Sequence, residues 1–213
     1  MQHAAVFWDN IAEKYAKSPI KDMEAYEDTL ERTRSYLTDT DHMLELGCGT
    51  GSTALLLAHN VAQVTASDLS GNMIRIAKKK MVEQDVSNVS FVTSDLFGSA
   101  LDETSYDVVL ALNLIHLLEE TPAVMKRIND LVMPGGLFIS KTFCNPGKNM
   151  PFKLRLMLMA LPLAQLLGKA PVVNFMETRD LERHIMDAGF KIIEAGSHPN
   201  SPPNRYIVAK KLP

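Results

Sequence analysis

The stretch Leu44-Glu45-Leu46-Gly47-Cys48-Gly49-Thr50-Gly51 ends a β-type run in three alternate glycines directly ahead of a helix-like segment. Backbone without a Cβ turns tightly and lets a ligand come within van der Waals contact, while the amides opening the next helix offer hydrogen-bond donors. A tight strand-to-helix turn with no ligand would use glycine as well. Asp68 stands 21 residues beyond Gly47, near the spacing of about 20 at which a carboxylate can accept from both hydroxyls of a ribose. It also precedes a helix through Asp68-Leu69-Ser70, where the helix dipole alone favours an acid. Asp95, in Thr93-Ser94-Asp95-Leu96, falls at the strand edge that forms the ligand crevice of open α/β sheets, where it could accept from an adenine amino group or simply face solvent. His116 follows the next apolar run; its intrinsic pKa suits a general base, although packing against a ligand or capping a helix start would equally place a histidine there. His3, His42, His59, His184 and His198 fall at less suitable points and read as structural or surface residues. The nicotinamide fingerprint G-x-G-x-x-G would need Gly or Ala at position 52, where this chain has Ser52, so a nicotinamide-dependent oxidoreductase is disfavoured.

A scaffold must bring these loop ends together. The middle of the chain alternates short β-rich apolar runs with turns and helix-like stretches, as parallel strands joined by helical crossovers do. Strands are expected over 42–46, 63–67, 89–93, 106–112 and 137–141, with 191–195 and 205–210 completing the sheet. The Asn-Ser-Pro-Pro-Asn turn at 200–204 would let the last strand enter antiparallel. Helices are expected over 53–59, 71–83, 122–132 and 178–188, and two amphipathic ones over 7–16 and 22–37, separated by Ser18-Pro19. Ser70, Thr121-Pro122 and Thr178 read as helix starts, and Gly189 and Pro134-Gly135-Gly136 as stops.

The segment 146–176 does not fit the alternation. Its apolar core, from Phe152, is too short and too basic to span a membrane, so it is expected as a helical cover or an interfacial segment. Met150, Met157, Met159 and Met176 suit gap-filling in a core. A sharper expectation is that 151–175 lines an apolar acceptor pocket. Lys153, Arg155 and Lys169 could instead rest the segment on a membrane surface or pair with an acidic acceptor.

With 213 residues, 46% of them hydrophobic and 22% charged, the chain suits one domain with additions and a sizeable core. A net charge of −3 gives no overall pull toward nucleic acid or an anionic membrane, though a local basic patch stays open. Cys48 and Cys144 alone make neither a disulfide framework nor a zinc cluster, which fits a reducing compartment. Met1 to Asn10 lacks the pattern of a secretion signal, and no uncharged run reaches the ~18 residues of a membrane span. A soluble cytoplasmic protein is the expectation, with 1–213 as a single domain, 1–40 a helical lid and 146–176 a helical insert over the active site.

Together these motifs resemble the class I S-adenosylmethionine-dependent methyltransferases across 44–137, with further agreement to the chain end. Glu45-x-Gly47-x-Gly49-x-Gly51 looks like the family's first motif, Asp68 its ribose acid, Ser94-Asp95-Leu96 its adenine motif, Asp107 to Leu110 its fourth strand, and Leu131 to Gly136 the loop before its fifth. The resemblance implies a doubly wound, Rossmann-like α/β fold of seven strands in the order 3-2-1-4-5-7-6, the last antiparallel. It implies S-adenosyl-L-methionine as cofactor, bound by Tyr15, Glu45, Gly47, Cys48, Gly49, Gly51, Asp68, Leu69, Met73, Ser94, Asp95, Leu96, Leu112 and Asn113, and no metal. Phe7-Trp8-Asp9-x-x-Ala12-x-x-Tyr15 resembles the lid helix of the small-molecule branch; an apolar face docked on the core would look the same.

Asn113-Leu114-Ile115-His116-Leu117-Leu118 is similar to the corresponding stretch of ubiquinone/menaquinone-type methyltransferases, with one histidine where many have two. The Asn/Asp-Pro-Pro-Tyr/Phe motif of enzymes that methylate amino groups on bases or glutamine is missing, which lowers the expectation of a nucleic-acid substrate. Methyl transfer to a small O, N, S or C nucleophile, with His116 as catalytic base, is the leading expectation. A non-catalytic module binding S-adenosylmethionine or S-adenosylhomocysteine is the alternative, and oligomeric state is not legible.

Overall fold

A computed structural model describes residues 2–101, 105–145, 152–166, 170–200 and 203–213. Four consecutive residues of β1 (His42–Leu46), Met43 to Leu46, are buried, as in a central strand covered on both faces. β1 pairs in parallel with β2 (Gln63–Asp68) and β4 (Tyr106–Leu112). β2 carries β3 (Val89–Thr93), and β4 carries β5 (Val132–Phe143), again in parallel. β7 (Pro203–Lys211) lies antiparallel between β5 and β6 (Phe190–Asn200). The order is β3-β2-β1-β4-β5-β7-β6, the expected class and topology. Winding reverses between β1 and β4, so the crevice of such a sheet opens at their C-terminal ends.

The helices cover both faces because each carries one apolar stripe. α5 (Thr121–Leu131) buries Val124, Met125, Ile128 and Leu131, and α7 (Thr178–Asp187) buries Leu181 and Ile185. Both pack with Leu44, Leu46, Val109 and Phe138 in one core layer. The opposite layer joins Met43, Val64, Val108 and Ile139 to α3 (Ser52–Leu57), α4 (Gly71–Glu83) and Leu30 of α2 (Met23–Arg34). α1 (Gln2–Lys17) adds a smaller cluster, with Trp8, Ala12 and Ala16 against Met73 and Ile76 of α4. No described helix is long and apolar enough to cross a membrane.

Several local expectations are corrected. β5 starts at Val132, directly after α5, because Val132 is already extended (φ −80°, ψ 134°); Pro134-Gly135-Gly136 therefore lies inside the strand, not ahead of it. Thr121 does not cap α5: Glu120 takes that place in left-handed backbone, and the Thr121 hydroxyl accepts from Asn174 Nδ2 at 3.2 Å. Thr178 is the first residue of α7, whose cap position, Glu177, makes no side-chain bond. Ser70 does cap α4, accepting from the Met73 amide at 3.1 Å. Part of the Asn200 to Asn204 turn lies outside the described residues.

The insert contains α6 (Phe152–Leu166), with Pro162 inside it. Met176 is buried in the core, as expected of a gap-filler, whereas Met159 faces solvent. Met150, Lys169 and the side chains of Lys153, Arg155 and Met157 lie outside the described residues.

Candidate active site

The glycine loop turns at the C-terminal end of β1, held by the Cys48 amide on the Ser67 carbonyl (2.9 Å) and the Gly51 amide on the Cys48 carbonyl (2.9 Å). Gly47, Gly49 and Gly51 all have positive φ. At Gly51 (φ +75°) a Cβ would lie 2.7 Å from Phe91 and 2.8 Å from Ala77, so close packing of β3 and α4 requires glycine. At Gly49 (φ +53°) a Cβ would meet only Tyr15, at 3.8 Å, which leaves open space beside bare backbone. Lys80 braces the loop from α4, donating to the Thr50 and Ser52 hydroxyls at 3.0 Å each. Cys48 is buried, and its thiol is pushed well up by burial and by the nearby Glu45 and Asp68 charges.

Two buried or half-buried carboxyls stand at this end of the sheet. Asp68, at the end of β2, accepts from the Gly49 amide at 2.9 Å and the Ser70 amide at 2.8 Å. Burial raises its pKa, and those two amides pull it partly back. Glu45, on β1, is 3% exposed. Burial pushes its carboxyl up to about 8, against a bond from the Ala54 amide, and its Oε2 has no partner among the described residues. Burial and the Asp68 and Glu45 charges also raise the half-exposed Tyr15 phenol on α1.

Asp9 ties α1 to the same corner: it accepts from the Ser70 hydroxyl at 2.6 Å and the Asn72 amide at 3.0 Å, which lowers its pKa. α2 is anchored more deeply. The Lys141 ammonium of β5 is 6% exposed and donates to Thr29 Oγ1 (2.6 Å) and the Ala25 carbonyl (3.1 Å). The Tyr26 hydroxyl meets that of Thr53 at 3.2 Å, and Arg32 reaches Glu194 of β6.

The sequence-derived positions divide into groups. Asp95 is half-buried after β3 and accepts from the Phe97 amide at 2.9 Å, while Ser94 donates to the Asp95 carbonyl at 2.9 Å. Leu96 and Met73 are buried in hydrophobic clusters, so only their backbone is available to a ligand. Leu69 and Leu112 are half-buried; Asn113 is exposed in left-handed backbone (φ +57°), its amide donating to the Lys141 carbonyl at 2.7 Å. Leu114 then fills the space beside Gly47, within 2.7 Å of where a Cβ would lie.

His116 sits two residues further on, in a 3-10 turn. Its ring is edge-on to Phe143, at 6.2 Å, and Phe143 is edge-on to Phe175, at 5.6 Å. Burial lowers its pKa to about 4, and Nδ1 is buried without a partner among the described residues. The Asn174 amide donates to the His116 carbonyl at 2.7 Å, so the insert's returning arm lies against this turn.

Sequence reasoning missed Tyr26, Leu114, Lys141 and Phe143, and included Asn174 and Phe175 only as part of the 151–175 segment, without singling either out. Of these, only Lys141 carried a legible signal, a lone cation in an otherwise uncharged buried strand. The loop suits a cationic ligand: two carboxyls raised by burial lie at this strand end, one on the Gly49 amide beside open space and one with an unpaired buried oxygen. A sulfonium and an ammonium group would supply the missing charge.

Comparison with known proteins agrees with this geometry. A family model described as a methyltransferase domain matches residues 43–136. The chain is 29% identical over 108 residues to an uncharacterized methyltransferase of Mycobacterium tuberculosis, covering 51% of this chain and 53% of that protein. It is also 29% identical over 175 residues to the demethylmenaquinone methyltransferase of Lactococcus lactis subsp. lactis, covering 73% of this chain and 68% of that one. This chain therefore spans about half the length of its mycobacterial relatives. Among solved structures, the DhpI complex with S-adenosylhomocysteine shares the fold with a TM-score of 0.74 at 20% identity, over 100% of this chain and 97% of that one. Residues 43–136 thus resemble a methyltransferase domain in sequence, and the whole chain shares the fold of the S-adenosylhomocysteine complex.

Proposed function

We propose that this protein transfers a methyl group from S-adenosylmethionine to a small lipophilic or aromatic acceptor bearing a hydroxyl. The observation that carries the reading is the open space over Gly49, whose amide is held by Asp68, with the buried Glu45 carboxyl of the same strand end carrying an unpaired oxygen. When bound, S-adenosylmethionine supplies an electrophilic methyl group on a sulfonium.

Asp68 holds ribose hydroxyls with the oxygen lone pairs not taken by Gly49 and Ser70. Glu45 faces the amino-acid end, where a cation lowers its raised pKa. Asp95 with Ser94 orients adenine, and Leu69, Leu112 and Asn113, with the Met73 and Leu96 backbone, line the rest. Tyr15 covers the Gly49 side, as part of an N-terminal lid.

The acceptor lies against Phe143, Phe175 and the arm of the insert. These apolar walls exclude water and hold the nucleophile in line, which is most of what this transfer asks of a protein. His116 stays neutral above about pH 5, since its pKa is about 4, and the neutral imidazole accepts the acceptor's hydroxyl proton. Its unpartnered Nδ1, buried among aromatic rings, favours an enzyme over a cofactor-binding module. The demethylmenaquinone methyltransferase named above supports a quinol-like or phenolic acceptor class.

Calorimetric titration with S-adenosylmethionine and S-adenosylhomocysteine tests the cofactor site: binding should be lost in Gly49→Arg and Asp68→Ala, and a folded wild type that binds neither ligand refutes the reading. A panel of phenols and quinols, assayed with wild type and His116→Gln, then tests the acceptor class.

A further inference from the structure

α6 turns three large apolar side chains to water: Met159 is 74% exposed, Leu163 63% and Leu166 83%. Their i, i+4, i+7 spacing places them on one stripe. Only Lys153, Arg155 and Gln165 are polar in this 15-residue helix, and a helix so apolar is ordinarily buried in protein or lipid. At 1.5 Å per residue it is about 22 Å long, short of a hydrocarbon core of about 30 Å, so it lies on such a layer without crossing it. Charge selects the partner. From position 146 to 176 the sequence has Lys148, Lys153, Arg155 and Lys169 and no Asp or Glu, in a chain whose net charge is −3. Two copies meeting through this segment would oppose like charges, whereas an anionic surface takes up cations and apolar side chains together.

We infer that α6 docks on the surface of an anionic lipid bilayer, with Met159, Leu163 and Leu166 in the boundary between headgroups and acyl chains. The chain that follows leads from the docked helix to the His116 turn, through the Asn174 amide and the Phe175–Phe143 contact. A lipophilic molecule leaving the bilayer beside α6 thus meets the aromatic wall of the site. The docking does not rest on methyl transfer.

The test is co-sedimentation of the full chain with vesicles of phosphatidylcholine alone or mixed with phosphatidylglycerol. The protein should sediment with the mixed vesicles and stay in solution with the neutral ones. Leu163→Glu/Leu166→Glu should lower the bound fraction at least about tenfold without altering the unfolding midpoint or the S-adenosylhomocysteine titration, and Lys153→Gln/Arg155→Gln should lower it by about tenfold as well. If the glutamate pair unfolds the protein, the glutamine pair decides. Equal behaviour with both vesicle types, binding that survives both variants, or a concentration-dependent dimer abolished by the glutamate pair would each overturn the proposal, the last by showing that a second copy covers the stripe.

Discussion

Two glycines in one loop should fail in different ways when replaced by alanine. Each lies in left-handed backbone, which costs a residue with a Cβ about 1–2 kcal/mol. At Gly49 little is added, since the new methyl meets only Tyr15 at 3.8 Å. At Gly51 the methyl would overlap Phe91 at 2.7 Å and Ala77 at 2.8 Å, and overpacking of this kind adds about 1–3 kcal/mol. For a chain of this size a loss of 1 kcal/mol lowers the midpoint by about 2–4 °C, so Gly49→Ala should drop it by roughly 2–8 °C and Gly51→Ala by roughly 4–20 °C. Binding should show the reverse ranking among folded molecules: the Gly49 methyl enters the space assigned to the ligand, whereas the Gly51 methyl faces the protein. Thermal unfolding followed by calorimetric titration with S-adenosylhomocysteine separates the two. Wild-type affinity in Gly49→Ala would refute the placement of the ligand over that backbone. Equal stability losses would refute the packing argument.

Three other outcomes follow from the buried charges. Between pH 4.5 and about 8 the folded chain holds a proton on Glu45 that the unfolded chain has released; this contribution to stability therefore falls as pH rises through that window. Glu45→Gln should remove it and gain about 2–4 kcal/mol at pH 8 but little at pH 4.5, read from urea midpoints at the two pH values. His116→Gln should leave S-adenosylhomocysteine binding intact while lowering turnover about 10²–10⁴-fold; the wild-type rate should hold from pH 8 down to about 5, and an earlier loss would show a different group titrating. Lys141→Ala deprives Thr29 and the Ala25 carbonyl of their donor, at a cost of about 1–3 kcal/mol. Hydrogen exchange should then speed up over residues 23–29, and unchanged protection would mean that α2 is held elsewhere.

The strand boundaries were legible because buried parallel strands read as unbroken apolar runs, and four of the seven differ by at most one residue from expectation. Local signals failed where a tertiary contact took over. Thr121 looks like a cap in isolation, but its hydroxyl is used by Asn174, more than fifty residues away. Val132 reads as the end of a helix, yet pairing of β5 with Tyr106 of β4 draws it into the sheet. The glycine loop and Asp68 were readable because their constraint is local, a tight turn and a fixed spacing. Phe143 was not, and Asn174 and Phe175 were legible only as members of the 151–175 segment, since nothing in their own neighbourhood marks the distant turn they meet. Lys141 is intermediate: the sequence shows a cation where burial forbids a lone one, but not which helix receives it.

Ser70 joins more than its position at a helix start suggests. Its amide steadies Asp68, its hydroxyl reaches Asp9 of α1, and that same oxygen receives the Met73 amide. Swinging α1 outward strips this wholly buried hydroxyl of its acceptor and loosens the turn on which the carboxylate leans. The first helix and the Asp68 turn are thus linked through one serine. Under the proposed reading, an outward swing of the first helix would therefore weaken the hold on ribose as well as uncover it.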